Sequence, residues 1–73
     1  MENNDFTVNR FKIIPGGINK FKYLIKNYPS LRFTKEPSYE EDYITISFSV
    51  DGEEYSHLLD ECIDEGIYYY AQP

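Results

Sequence analysis

Hydrophobic and polar positions alternate most regularly in the stretch YITISFSV. Ile44, Ile46, Phe48 and Val50 share one parity, and Thr45, Ser47 and Ser49 the other. Successive side chains on a strand point to opposite faces, so this spacing predicts an antiparallel strand with one face in a core. The stretch FTVNRFKII is also rich in β-branched and aromatic residues and predicts a strand over residues 6–14. Its alternation slips, with Phe6 and Val8 on one parity and Phe11 and Ile13 on the other. A bulge, or burial on both faces over residues 11–14, accounts for the slip. In SLRFTKEP, Leu31 and Phe33 alternate with Arg32 and Thr34, which predicts a short strand, and SYEED reads as the connection that follows. The tail GIYYYAQP predicts a last strand, with Tyr68 and Tyr70 on one side and Ile67 and Tyr69 on the other.

Two stretches have helical spacing instead. After the break at PGG, the positions Ile18, Phe21, Leu24, Ile25 and Tyr28 form one apolar stripe, with Lys20, Lys22 and Lys26 mainly outside it. Pro29 ends that helix, because the residue before a proline is pushed out of the helical region. Farther on, Tyr55, Leu58, Leu59, Cys62 and Ile63 repeat at three- and four-residue intervals. Asp51 with Glu54 three positions later resembles a capping box, and Gly66 suits a helix terminus. The spacing predicts a helix over residues 53–65. Asp51-Gly52 is also a hairpin signal, and the competing reading places a short strand at 53–57 before a shorter helix.

The element order is β-α-β-β-α-β, the split βαβ or ferredoxin-like arrangement. The expected fold is therefore a single small α+β domain spanning residues 1–73, with residues 1–5 frayed. Its antiparallel sheet carries both helices on one face. The hairpin reading gives β-α-β-β-β-α instead. In the first arrangement Lys20, Lys22 and Lys26 lie near Asp60, Glu61 and Asp64, so the two helices would neutralise one another.

Composition sharpens the picture at one point. The chain carries 13 acids against 7 bases, a net charge of −6. All the bases fall in residues 1–35, with only Glu2 and Asp5 against them, so that half sums to +5. From Glu36 onward there are 11 acids and no base. Aromatic content of 18% argues against a disordered chain. One cysteine permits no internal disulfide, no apolar run approaches membrane-spanning length, and the start MENNDF lacks the basic and apolar parts of a secretory signal. A cytoplasmic protein is the expectation.

Candidate chemistry is sparse. His57 is the only histidine, and its neighbour Ser56 would not share a helix face with it. Cys62 lies in the apolar stripe and reads as a small buried hydrophobe. IIPGGINK places a Gly-rich turn before a helix but lacks the spacing of a phosphate-binding loop. Neither acidic cluster has the ligand order of a calcium loop. The expected exposed face of the best strand, Thr45, Ser47 and Ser49, has no aromatic ring on which a base could stack. No catalytic, metal or cofactor site is expected, and neither is direct contact with nucleic acid or a membrane.

What remains is an interaction surface. The candidate partner-binding residues are Glu36, Tyr39, Glu40, Glu41, Asp42, Tyr43, Asp60, Glu61, Asp64, Glu65, Tyr68 and Tyr70. Tyrosines anchor interfaces, and acids steer and select a basic partner. The expected function is a small acidic protein–protein interaction module that occupies a basic surface of a nucleic-acid-handling protein. Phage-encoded inhibitors, anti-CRISPR proteins among them, are often of this size and charge, which is an analogy and not a motif. The alternative is a non-catalytic regulatory or small-molecule-binding domain that acts as a homo-oligomer, with the tyrosine strand as its interface.

Overall fold

The computed structural model describes residues 5–69, an α+β domain with a four-stranded antiparallel sheet and two helices. Strand β1 (Asp5–Ile13) leads through a 3-10 turn at Pro15–Gly17 into helix α1 (Ile18–Leu24). A further 3-10 turn, Ile25–Asn27, extends that helix. Then come β2 (Arg32–Phe33), β3 (Ser38–Tyr39), β4 (Ile44–Asp51) and helix α2 (Gly52–Asp64).

The most regular stretch of the sequence is the centre of the sheet. β1 pairs antiparallel with β4 along almost its whole length, from Asp5↔Asp51 to Ile13↔Ile44. The register slips between Val8 and Phe11, so Asn9 and Arg10 together stand opposite Ser47. This is the bulge that the parity change in β1 anticipated. Ser47 is buried there, and its hydroxyl donates to the Asn9 carbonyl at 3.0 Å. β2 and β3 both pair with the other edge of β4, at Arg32↔Ser49 and Phe33↔Phe48, then at Ser38↔Thr45 and Tyr39↔Ile44. Ser38 and Tyr39, expected in a connection, are therefore a strand. The short strand expected in SLRFTKEP instead leaves β4 after a bond from the Thr34 amide to the Ser47 carbonyl, 3.0 Å long. Pro37 has no N–H with which to continue the ladder.

Directly paired residues share a face. Phe11, Ile13, Ile44, Ile46, Phe48 and Val50 all point to the side that carries the core. Phe21 from α1 meets Phe11 and Phe48, with ring centroids 5.8 and 6.1 Å apart. Tyr55 from α2 meets the same two rings at 6.1 and 6.2 Å. Both helices therefore cover one face of the sheet. Leu58 and Cys62 complete that layer, and the other face presents Thr7, Lys12, Thr45 and Ser49.

Asp51 does not turn a hairpin. It caps α2, its side chain accepting from the Glu53 amide at 3.2 Å, and the helix starts at Gly52. The competing hairpin reading is thus set aside for residues 53–57. At the far end Gly66 adopts a φ of 75° and stops the helix, with the Ile67 amide donating to the Cys62 carbonyl at 3.0 Å. α1 is shorter than its apolar stripe suggests, because its last turn tightens to 3-10 before Pro29. The tail meets β1 through one antiparallel bridge, Ile13↔Tyr68. It is flanked by bonds from the Ile14 amide to the Ile67 carbonyl (2.8 Å) and from the Tyr69 amide to the Lys12 carbonyl (2.9 Å).

Candidate functional site

The register collects one end of the domain. Ile13, Ile44 and Tyr39 lie in a row across the sheet. The turn at 40–43 joins β3 to β4 there, closed by a bond from the Glu40 amide to the Tyr43 carbonyl at 2.9 Å. The Ile14–Ile67 bond brings the C-terminus of α2 to the same end. Glu40, Glu41 and Asp42 from the turn thus share an end with Asp64 and Glu65 from the helix. Tyr39 is 63% exposed beside them.

The individual residues differ in how committed they are. Glu36, Glu41, Asp42, Asp60 and Asp64 are exposed and have no hydrogen-bond or ion-pair partner among the described residues. Glu40 accepts from the Ser38 hydroxyl at 3.0 Å. Glu65 pairs with Lys20 at 3.1 Å, both side chains being about half exposed. Glu61 is held internally, accepting a hydrogen bond from the Tyr28 hydroxyl. Tyr43 is half-buried, with its ring 5.2 Å from Tyr69 and the Lys12 ammonium 4.5 Å above it. Tyr68 turns to the helix side and packs on Phe11 at 5.4 Å. Tyr70 lies outside the described residues.

The expected neutralisation between the helices is confined to one contact. Among the described residues the sole salt bridge is Lys20–Glu65, and its acid is not one of the three expected. Lys12 and Lys26 instead sit over tyrosine rings, and Arg32 folds back onto the carbonyls of Pro29 and Leu31 at 2.6 and 2.9 Å. Two acids of α2 are used as tethers for the segment after α1. Glu61 takes the Tyr28 hydroxyl, and Glu54 takes the Ser30 hydroxyl at 2.6 Å. The same Ser30 oxygen accepts from the Asp51 amide at 2.9 Å. These bonds fasten the loop to the start of α2, and they remove Glu54 and Glu61 from the free acidic surface.

Groups with altered proton affinity lie inside this framework. Burial raises the Tyr28 phenol well above its ordinary value, helped by its bond to Glu61 and by that carboxylate's charge. Burial, with a smaller contribution from Glu61, pushes the Cys62 thiol up to about 12. A thiol of that kind is a poor nucleophile. His57 is exposed. Among the described residues no group of three or more His, Cys, Asp or Glu side chains is placed to hold a metal ion, and no helix is long and apolar enough to cross a membrane.

One feature escaped the sequence reading. Lys22, Phe33, Thr34, Lys35, Glu36, Pro37 and Tyr39 line an open cavity of about 520 Å³ between α1 and the interrupted edge of the sheet. Only Glu36 and Tyr39 of these were candidates from sequence. The signal was the Lys-Glu-Pro run inside an otherwise alternating strand, which breaks edge pairing.

No protein-family model, curated protein or solved structure shows significant similarity to this chain.

Proposed function

We propose that this chain is a non-catalytic protein–protein interaction module that docks its acidic end on a basic surface of a nucleic-acid-handling partner. The observation that carries the reading is the set of unneutralised carboxylates. Glu41, Asp42 and Asp64 share one end of the domain, Asp60 stands one helical turn from Asp64, and all four lack a cationic partner among the described residues. Like charges left unpaired weaken the fold slightly, and a complementary partner would reverse that penalty and speed encounter. Tyr39 supplies an exposed ring next to the acids, the type of side chain that anchors an interface.

The scaffold is read as the split βαβ, ferredoxin-like arrangement. The pairing of the tail with β1, of β1 with β4, and of β4 with β2 and β3 supports this, with β2 and β3 counted as one interrupted strand. In such a scaffold both helices occupy one face and the turns carry function.

The test is a pull-down from lysate of the native host at two salt concentrations, with the fourfold variant Glu41→Gln, Asp42→Asn, Asp60→Asn, Asp64→Asn as control bait. The expected result is one basic, nucleic-acid-handling protein, captured at low salt by the parent, released by added duplex DNA, and absent from the variant. Equal capture by parent and variant, or capture unaffected by salt, would refute acidic docking.

A further inference from the structure

The cavity beside α1 is built by a local irregularity of the sheet. Between Phe33 and Ser38 the edge chain advances five residues, while its partners on β4, Phe48 to Thr45, advance three. Two extra residues must therefore arch away from β4. The arch, residues 35–37, lines the cavity together with Thr34, still bonded to β4, and Lys22 on α1. Phe33 also lines it, its ring 6.5 Å from the buried Phe21 and still 44% exposed. Tyr39 and Pro37 extend the apolar surface. A volume of about 520 Å³ falls within the range of small-molecule sites.

Charge gives the cavity its selectivity. In a protein of net charge −6, the bases without a partner among the described residues are Arg10, Lys22 and Lys35. Two of those three line this one cavity. Their neighbour Glu36 offsets one positive charge, which leaves a net +1 at the rim. A single net charge beside aromatic walls matches a monoanion with a flat apolar body. It does not match a polyanion, for which a net +1 in a protein of net charge −6 is too little. We infer that this cavity binds a small aromatic monocarboxylate, its ring against Phe33, Pro37 and Tyr39 and its carboxylate between Lys22 and Lys35. The site shares Tyr39 with the proposed docking surface, but the inference does not depend on that reading.

The experiment is a titration of the isotope-labelled chain with naphthoate, followed by amide chemical shifts, with naphthamide as the uncharged isostere. Saturable shifts are expected at Lys22, Phe33, Thr34, Lys35, Glu36 and Tyr39. Naphthamide should bind roughly fivefold or more weakly, as should naphthoate to the exposed-site variant Lys22→Gln/Lys35→Gln, the scale of two exposed charge contacts. Glu36→Gln should tighten naphthoate binding by removing the one opposing charge. The spectrum of each variant checks that the fold is retained. Absence of saturable shifts at millimolar naphthoate overturns the proposal. So do shifts centred elsewhere, equal binding of naphthamide, or undiminished binding by the lysine variant.

Discussion

Gly16 and Gly17 are neighbours in one 3-10 turn, yet alanine at the two positions should act in opposite directions. A Cβ at Gly17 would lie 2.9 Å from Ile67 Cβ, 3.0 Å from Ile67 Cγ2 and 3.2 Å from Ile14 Cγ1. The first of these contacts is shorter than carbon atoms tolerate, and Ile67 cannot swing its Cβ aside without moving its backbone. That backbone is pinned by the 2.8 Å bond to the Ile14 amide. The φ of −99° and ψ of 1° at Gly17 are open to alanine, so the cost is steric. Overpacking of this kind costs about 1–3 kcal/mol, and the stiffer unfolded chain returns about 0.4–1 kcal/mol. The net expectation for Gly17→Ala is a loss of roughly 0–2.6 kcal/mol. A Cβ at Gly16 meets nothing within 4 Å, so Gly16→Ala keeps only the gain of about 0.4–1 kcal/mol. For a 73-residue domain with a total stability of about 4–11 kcal/mol, the contrast is easily resolved by urea unfolding. Each kcal/mol also moves the Tm by roughly 4–8 °C. If the two variants unfold within about 0.5 kcal/mol of each other, the packing of Ile67 on Gly17 is not what closes this end of the domain.

Three further outcomes are expected. Phe11→Ala removes the ring that touches Phe21, Phe48, Tyr55 and Tyr68, and should cost about 3–5 kcal/mol in urea unfolding; a loss below ~1 kcal/mol would contradict its place at the centre of the core. Ser30→Ala leaves the Asp51 amide and Glu54 without their shared hydroxyl and should cost about 1–3 kcal/mol, whereas Lys20→Gln, which breaks an exposed pair, should cost less than ~1 kcal/mol; the reverse ranking would refute the loop tether. Tyr28 and Cys62 hold their protons more tightly when folded, so the native state binds more protons than the unfolded state and stability must fall as pH rises. For Cys62 the fall should run from the ordinary value of 9.0 to about 12, and Cys62→Ala together with Tyr28→Phe should reduce it, burial of Tyr55 leaving a remainder; a parent whose unfolding midpoint is level across that window would refute both shifts.

Residue pattern alone was informative wherever the cause of structure is local. The alternation of Ile44 to Val50, the Asp51 cap and the left-handed Gly66 are each set within a few residues and took the expected form, whereas Ile63 at the end of the α2 stripe is exposed and Glu54 bonds Ser30 instead of closing a capping box. The parity slip in β1 was legible too, because a bulge changes which neighbouring residues share a face. The candidate surface was legible only as a list of acids and rings. Which of them remain available depends on contacts across the chain. Glu61 is taken by Tyr28 at a separation of 33 residues, and Glu65 by Lys20 at 45.

What the sequence determined by itself, then, is the kind and approximate position of most elements, the face each presents to a core, and the segregation of charge into two halves. Tertiary structure decided the rest. It split the second strand into β2 and β3, turned Tyr68 toward Phe11 and Tyr69 toward Tyr43, and placed Lys12, Lys26 and Arg32 over rings and carbonyls. It also opened the cavity between Lys22 and the arch. The reason is physical. Backbone propensity and side-chain period act over a turn or two, whereas register, ion pairing and cavities depend on how many residues each of two distant segments spends between the same two rungs.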